Sequence, residues 1–320
     1  MKVIRVDAEQ HLHWVDEAEP ELTAGHVIVE VCAAGVNRAD LLQRAGKYPS
    51  PAGCPDWMGL EVSGRVAAVG EGVTRWRVGD AVCALLGGGG YAERALLAED
   101  MLMPIPEGVE LAEAASLPEV YATAYLNLVQ EGGLRPGETV YVTAGASGLG
   151  LAAIQLAKVL GAAKVITTVG NEEKAKLCQQ LGADIVVNRH SGDLGAVFDA
   201  NPVDIALDCG GGDILGQNLE KLAVGGRWIL VSTLAGQEAH LRLRPILKRG
   251  LRLIGSTLRS RTPARKAEVL AGLVRDVWPA FADGRIHTTV CARFPIQQAE
   301  EAHALLQKQA NAGKVILTVE

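Results

Sequence analysis

The chain of 320 residues carries six cysteines, and no two of them form a C-x-x-C pair or a cluster. They stand at positions 32, 54, 83, 178, 209 and 291, a dispersal that argues against a disulfide framework or a cysteine-rich zinc site. Cys32, Cys83 and Cys209 fall in apolar runs, where a thiol packs as a small hydrophobe. The seven histidines are equally scattered, and the pair His11 and His13 suits a solvated strand face better than a metal. Long apolar stretches are lacking too: none approaches the ~20 residues of a membrane-spanning helix. There is no basic surplus, since the net charge is −6, which disfavours nucleic acid as a partner. No internal repeat and no low-complexity linker interrupts the chain. Met1 to Asp7 lacks the apolar core of a secretory leader and reads as a first strand. A soluble cytoplasmic protein without a membrane partner is the expectation.

What is present is apolar material for two cores, with 48% hydrophobic residues. The first 118 or so residues are dense in short strand signals. His26 to Val36, with Val27, Val29 and Val31 alternating, is one; Glu61 to Gly70 and Val78 to Leu85 are others. Closely spaced strands of this kind read as a coiled antiparallel sheet or partial barrel. The run Gly87 to Gly90 reads as a flexible turn that either lines a site or only reverses the chain. From Tyr121 the rhythm changes. Tyr121 to Glu131 reads as a helix, and strands near 139–144, 164–169, 184–188, 203–209, 227–232 and 252–257 then alternate with helices. That pattern is an α/β fold with a doubly wound parallel six-stranded sheet. An amphipathic helix from Pro263 to Phe281, a strand near 290, a helix from Gln297 to Gln309 and a strand from Lys314 to Val319 complete the chain. Because the parallel sheet is already complete, this tail is expected to return to the first domain.

Residues 144–150, Ala-Gly-Ala-Ser-Gly-Leu-Gly, join the strand Thr139 to Thr143 to a helix-forming stretch, Leu151 to Lys158. A glycine turn between strand and helix directs backbone N–H groups at a pyrophosphate. The next strand, Lys164 to Val169, ends about 20 residues further on, where the ribose of a dinucleotide belongs. Its tip, Val169-Gly170-Asn171, bears no acid that would repel a 2′-phosphate, and Lys174 follows one helical turn later beside Glu172 and Glu173.

Three domain-scale features and several strings resemble the medium-chain dehydrogenase/reductase superfamily, specifically its zinc-free quinone oxidoreductase branch. The strings are Gly35-Val36-Asn37-Arg38-Ala39-Asp40, Gly59-Leu60-Glu61-Val62-Ser63-Gly64, Gly79-Asp80 and the 144–150 turn. Within the branch, Tyr48, Leu102 to Gly108 and Leu258-Arg259-Ser260-Arg261 are most similar to the tumour-suppressor-inducible quinone oxidoreductases. The resemblance implies a GroES-like coiled β domain over residues 1–122 and 258–320, with a Rossmann domain over 123–257. It implies NADPH as cofactor and a quinone or enone as small-molecule substrate. Zinc alcohol dehydrogenases resembling this chain place a cysteine where Asn37 stands and a histidine where Leu60 stands, so no metal is expected.

The resemblance also implies roles for particular residues. Ser147, Gly148 and Leu149 meet the pyrophosphate; Gly170, Asn171 and Lys174 receive the phosphate of NADPH, unless Lys174 merely stands on a solvated helix face. Arg189, in place of a family tyrosine, either contacts that phosphate or is an ordinary surface arginine. Tyr48 and Asn37 are the catalytic candidates, Tyr48 by donating to a carbonyl. Asp40, Thr123, Ser232, Leu258, Ser260 and Lys314 join the cofactor contacts, although Asp40 also suits a helix cap and Lys314 a plain strand start. Rival readings are an enoyl-thioester or enone reductase, and a nucleotide- or RNA-binding relative of zeta-crystallin. A homodimer is expected through Leu251 to Thr257, an outermost strand too apolar to remain a bare edge. On that view a proline at Ile254 breaks the dimer.

Overall fold

A computed structural model describes residues 1–319. Two paired strands, β1 (Lys2–Val6) and β2 (Leu12–Asp16), open the chain. The alternation of Val27, Val29 and Val31 puts three buried side chains on one face of β3 (His26–Val36). After the short helix α1 (Arg38–Arg44) come β4 (Glu61–Val69), β5 (Ala81–Leu85), β6 (Arg94–Ala98) and β7 (Leu102–Pro104). Strand β3 pairs with both β4 and β6, so it forms the spine of this antiparallel assembly.

The run Gly87 to Gly90 is not a flexible turn. Gly88, Gly89 and Gly90 are buried, and a Cβ on Gly88 would come 2.7 Å from Ser50 Oγ. The missing side chains let the 50–59 loop pack directly on the run.

The stretch expected to be one helix from Tyr121 to Glu131 is two objects. Helix α2 covers Pro118–Tyr125, and Leu126–Glu131 continue as a π-turn. Asn127 accounts for the switch. Its Nδ2 donates to the Thr123 carbonyl at 2.8 Å, the acceptor that the Asn127 backbone N–H would take in an α-helix.

Six parallel strands follow: β8 (Thr139–Val142), β9 (Lys164–Val169), β10 (Ile185–Asn188), β11 (Ile205–Asp208), β12 (Arg227–Leu230) and β13 (Arg252–Gly255). The helices between them are α3 (Gly148–Val159), α4 (Glu172–Gln180), α5 (Leu194–Ala200), α6 (Gly212–Asn218) and α7 (Leu243–Arg249). The strand order β10-β9-β8-β11-β12-β13 reverses direction at β8, the switch point at which doubly wound sheets bind ligands. Tyr141 packs edge to face with Phe198 in this core, and Trp228 lies tilted against both. Arg227 clamps Glu138 and the Gly132 and Gly133 carbonyls at the end of the π-turn.

The helix expected over Pro263 to Phe281 breaks into α8 (Pro263–Asp276) and α9 (Pro279–Ala282), because Pro279 has no N–H to continue the ladder. The tail ends with β14 (Val290–Pro295), α10 (Ala299–Gln307) and β15 (Lys314–Thr318). Strand β15 lies between β14 and β3, so the tail adds to the first sheet. The chain divides into two compact units, Met1–Ala122 with Arg259–Glu320, and Thr123–Leu258. Among the described residues no helix is long and apolar enough to cross a membrane.

Candidate active site

In the parallel-sheet unit, the glycine turn after β8 is built by close approach. A Cβ on Gly145 would lie 2.1 Å from Thr167 Oγ1, and one on Gly150 would lie 2.4 Å from the Ala144 carbonyl oxygen. Only glycine lets α3 start this near to β9. Ser147 caps that helix, its Oγ accepting from the Gly150 N–H at 3.0 Å. The cap satisfies one amide of the first turn and leaves those of Gly148 and Leu149 at the open helix end.

At the tip of β9, Asn171 caps α4 by accepting from the Lys174 N–H at 2.9 Å. Arg189, beyond β10, is exposed and lies over the same tip: a Cβ on Gly170 would come 3.2 Å from its Nη2. Gly170 thus makes room for the guanidinium, and Lys174 stands in the first turn of the helix that follows. Ser232 lies just past β12 and Thr123 within α2; both are part-buried. Leu258 is buried and Ser260 exposed.

In the other unit, Asn37 and Lys314 belong to a closed polar cluster. Lys314 Nζ donates to the Val36 carbonyl at 3.0 Å, to Asn37 Oδ1 at 2.8 Å and to Glu61 Oε1 at 2.5 Å. Three protons meet three acceptors, so Lys314 has no N–H left for a cofactor. Asn37 Nδ2 in turn donates to Glu61 Oε1 at 2.8 Å. Glu61 Oε2 accepts the Glu119 backbone N–H at 2.8 Å.

Asp40, expected among the cofactor contacts, is wholly buried and serves the first turn of α1 instead. Its carboxyl accepts the Asn37 N–H at 2.7 Å, the Gly59 N–H at 3.3 Å and the Tyr91 hydroxyl at 3.1 Å. Burial pushes Asp40 up to about 6 despite those donors. His303 Nε2 shares the Tyr91 hydroxyl at 3.2 Å, and burial drives this imidazole down to about 3, so it is neutral.

Tyr48 is half-buried, and Arg259 organises its surroundings. The Arg259 guanidinium lies 4.7 Å from the Tyr48 ring centre. Its Nε donates to the Gly87 carbonyl at 2.9 Å, one Nη to the Tyr48 carbonyl at 3.1 Å and the other to Gln43 Oε1 at 2.8 Å and Ser50 Oγ at 3.3 Å. The arginine therefore ties the end of α1, the 48–50 loop and the glycine run into one wall. Burial raises the Tyr48 phenol above its ordinary value, and the nearby Arg259 charge pulls the other way.

Reading the sequence alone misses Arg259 as an organiser and does not single out Glu61, Glu119, Tyr91 or His303. One signal was present: Glu119 is the only acid in the otherwise apolar or small-residue stretch Ala114 to Ala124. An acid there needs a reason.

A doubly wound sheet with a capped glycine turn, joined to a β unit that holds a buried polar cluster, defines a two-domain nicotinamide-dependent oxidoreductase. Comparison with known proteins narrows the class. The model of the alcohol dehydrogenase GroES-like domain matches residues 23–107, and that of the zinc-binding dehydrogenases matches residues 148–274. Quinone oxidoreductase-like protein 2 of Bos taurus is 32% identical over 96% of this chain and 89% of its own length. The quinone oxidoreductase of Rattus norvegicus is 30% identical over 94% and 92%. A solved NAD-dependent alcohol dehydrogenase superposes with a TM-score of 0.84 at 30% identity, covering both chains completely. The chain belongs to the quinone oxidoreductase branch of the medium-chain dehydrogenase/reductase superfamily.

Zinc, which the second model's description implies, does not fit the residues at this place. Leu60 has no donor atom, and Asn37 Oδ1 and Glu61 Oε1 both hold the Lys314 ammonium. A nicotinamide cofactor does fit the other unit, since the Cβ-free cradle at Gly145 and Gly150 brings an open helix end to the switch point.

Proposed function

We propose that this chain is an NADPH-dependent reductase of quinones or related electrophilic carbonyls, and that it works without a metal. The observation that carries the reading is the Lys314 ammonium seated on Asn37 and Glu61. With an internal cation in that cluster, no Lewis acid is on hand to activate an alcohol for oxidation. An acceptor that is already electrophilic needs none. NADPH, when bound, supplies the hydride. The Gly148 and Leu149 amides hold the pyrophosphate, while Gly170, Asn171, Lys174 and Arg189 form the 2′-phosphate end. Thr123, Ser232, Leu258 and Ser260 line the rest of the cofactor. Tyr48 donates to the acceptor oxygen on which charge develops, and Asn37 presents a side-chain amide fixed by Lys314 and Glu61.

The test is reduction of a panel of quinones, enones and enoyl thioesters, with either NADPH or NADH and a chelator throughout. Quinone turnover with NADPH is expected, and preference for the thioesters would favour the enoyl-reductase reading instead. Lys174→Ala should weaken NADPH binding by about one to two decades, the worth of one charge-assisted hydrogen bond, and leave NADH nearly unaffected. Equal losses for both cofactors would make the lysine structural.

We also infer a homodimer through β13, the sheet's edge strand. Leu253 on it, and Leu243 and Leu247 on α7, are exposed by 46%, 76% and 84%, an apolar margin beside unpaired backbone groups. The Arg252 and Ser256 N–H groups donate to Gly226 and Leu230, so by alternation the Ile254 N–H also points inward to β12. A proline at Ile254 would thus damage the sheet itself. The informative variant is Leu253→Pro, which removes an outward N–H. Light scattering should give a dimer for the native chain and a folded monomer for Leu253→Pro; a native monomer at micromolar concentration would refute the pairing.

A further inference from the structure

Arg189 is exposed, yet its guanidinium has a defined orientation at the tip of β9. The Arg189 backbone N–H donates to the carbonyl of Val169, the last residue of that strand, at 2.8 Å. Beyond it the chain turns tightly. Asn188 Oδ1 accepts the His190 N–H at 2.9 Å, and the Asn188 carbonyl accepts the Gly192 N–H at 2.7 Å. A Cβ on Gly192 would come 2.6 Å from Val187 Cγ1, so a side chain there would open the turn. The turn brings the His190 imidazole to the side of the guanidinium, where Arg189 Nε donates to His190 Nε2 at 3.3 Å. The guanidinium itself lies across Gly170: its Nη2, Cζ and Nε are 3.2, 3.3 and 3.5 Å from where a Cβ would stand. An arginine can only donate, so His190 Nε2 carries no proton in this contact and the imidazole is uncharged.

We propose that His190 is a positioning residue for the 2′-phosphate of NADPH, holding the Arg189 fork across the β9 tip without neutralising it. This rests on the reading of Gly170, Asn171, Lys174 and Arg189 as the 2′-phosphate end. A surface arginine gives up rotamer freedom when it meets a ligand, and a partner that already restrains it lowers that cost. The chemistry of the partner matters as much as its place. An acid at position 190 would orient the fork equally well but would take up its charge. With Glu172 and Glu173 already in the first turn of α4, a third acid would outnumber Lys174 and Arg189. An alkyl side chain would neither orient nor neutralise. A neutral acceptor orients the guanidinium and adds no competing charge. His190 acts through Arg189 and does not touch the cofactor.

Binding of NADPH and of NADH, followed by nucleotide fluorescence at about pH 8, where an ordinary imidazole is uncharged, tests this without any acceptor. His190→Gln keeps a neutral acceptor, His190→Ala removes it and His190→Glu replaces it with a charge. The dissociation constant for NADPH should stay within about twofold for His190→Gln and rise about fivefold for His190→Ala, the worth of one neutral hydrogen bond. For His190→Glu it should rise by about tenfold or more, because the charge-assisted contact to the phosphate is weakened. The constant for NADH should be the same in all of these proteins. Adding His190→Ala to Arg189→Ala should bring no further loss, since the histidine works only through the arginine. Equal losses for NADPH and NADH would make His190 structural and overturn the proposal. If Arg189→Ala abolishes the preference for NADPH while the three His190 variants bind alike, the role of His190 falls and the reading of the phosphate end stands. If Arg189→Ala leaves that preference intact, the reading of the phosphate end falls and the role of His190 with it.

Discussion

Lys314→Ala is expected to lower the unfolding free energy by roughly 3–5 kcal/mol, the cost of breaking a buried ion pair from one side. The Lys314 and Glu61 side chains are 3% and 0% exposed, so water cannot replace the missing ammonium. Glu61 would keep only the Asn37 amide and the Glu119 N–H against its charge. Asn37 Oδ1 and the Val36 carbonyl would lose their donor in the same step. Urea denaturation measures the loss. Adding Glu61→Gln to Lys314→Ala should restore part of it, because a neutral amide is cheaper to bury than an unpaired carboxylate. A single-variant loss under about 1 kcal/mol would mean that the cluster is hydrated, and the argument for an internal cation in place of a metal would weaken with it.

Arg259→Ala should reduce kcat/KM for quinones by about a hundredfold, while the dissociation constant for NADPH stays nearly constant. The arginine bonds to the Gly87 and Tyr48 carbonyls, Gln43 and Ser50, while Gln43 alone ties α1 only to Ser50 and the Asp56 carbonyl. Without it the 48–50 loop keeps the Gln43–Ser50 bond but loses its tie to the glycine run, and a displacement of about 1 Å in a positioned group can cost two decades in rate. Tyr48→Phe removes only the hydroxyl and should cost about tenfold, near 1.4 kcal/mol, since a quinone delocalises its developing charge. Arg259→Lys should recover little, because an ammonium cannot reproduce a planar fork of donors stacked on a ring. Steady-state kinetics beside a binding titration separates these outcomes. A Tyr48→Phe loss as large as that of Arg259→Ala would make the hydroxyl, rather than the wall, the decisive element.

The parallel-sheet unit was largely legible from the sequence because its signals are local. Strand β9 occupies the expected residues, and β3 does so as well, since both are continuous β-branched or alternating runs. The glycine turn was legible for the same reason: cap, glycines and helix lie within a few residues. Elements whose form depends on one side-chain bond were not. Asn127 converts half of an expected helix into a π-turn by taking a single carbonyl, and no periodicity reports that. The run Gly87 to Gly90 looked flexible because glycine permits mobility, but here its bareness is filled by another loop.

The sequence by itself determined the two-part architecture, the glycine turn between strand and helix, and the residue types that stand at Asn37 and Leu60. All of these rest on residue identity and short spacing. Only the tertiary structure decided what Asp40, Lys314 and Arg259 do. Asp40 turned inward to serve a helix start, a matter of burial. Lys314 meets Glu61 across 253 residues, and Arg259 meets the Tyr48 carbonyl across 211. Such partners are chosen by how sheets and loops pack, and a buried charge takes whichever acceptor that packing brings within hydrogen-bond reach.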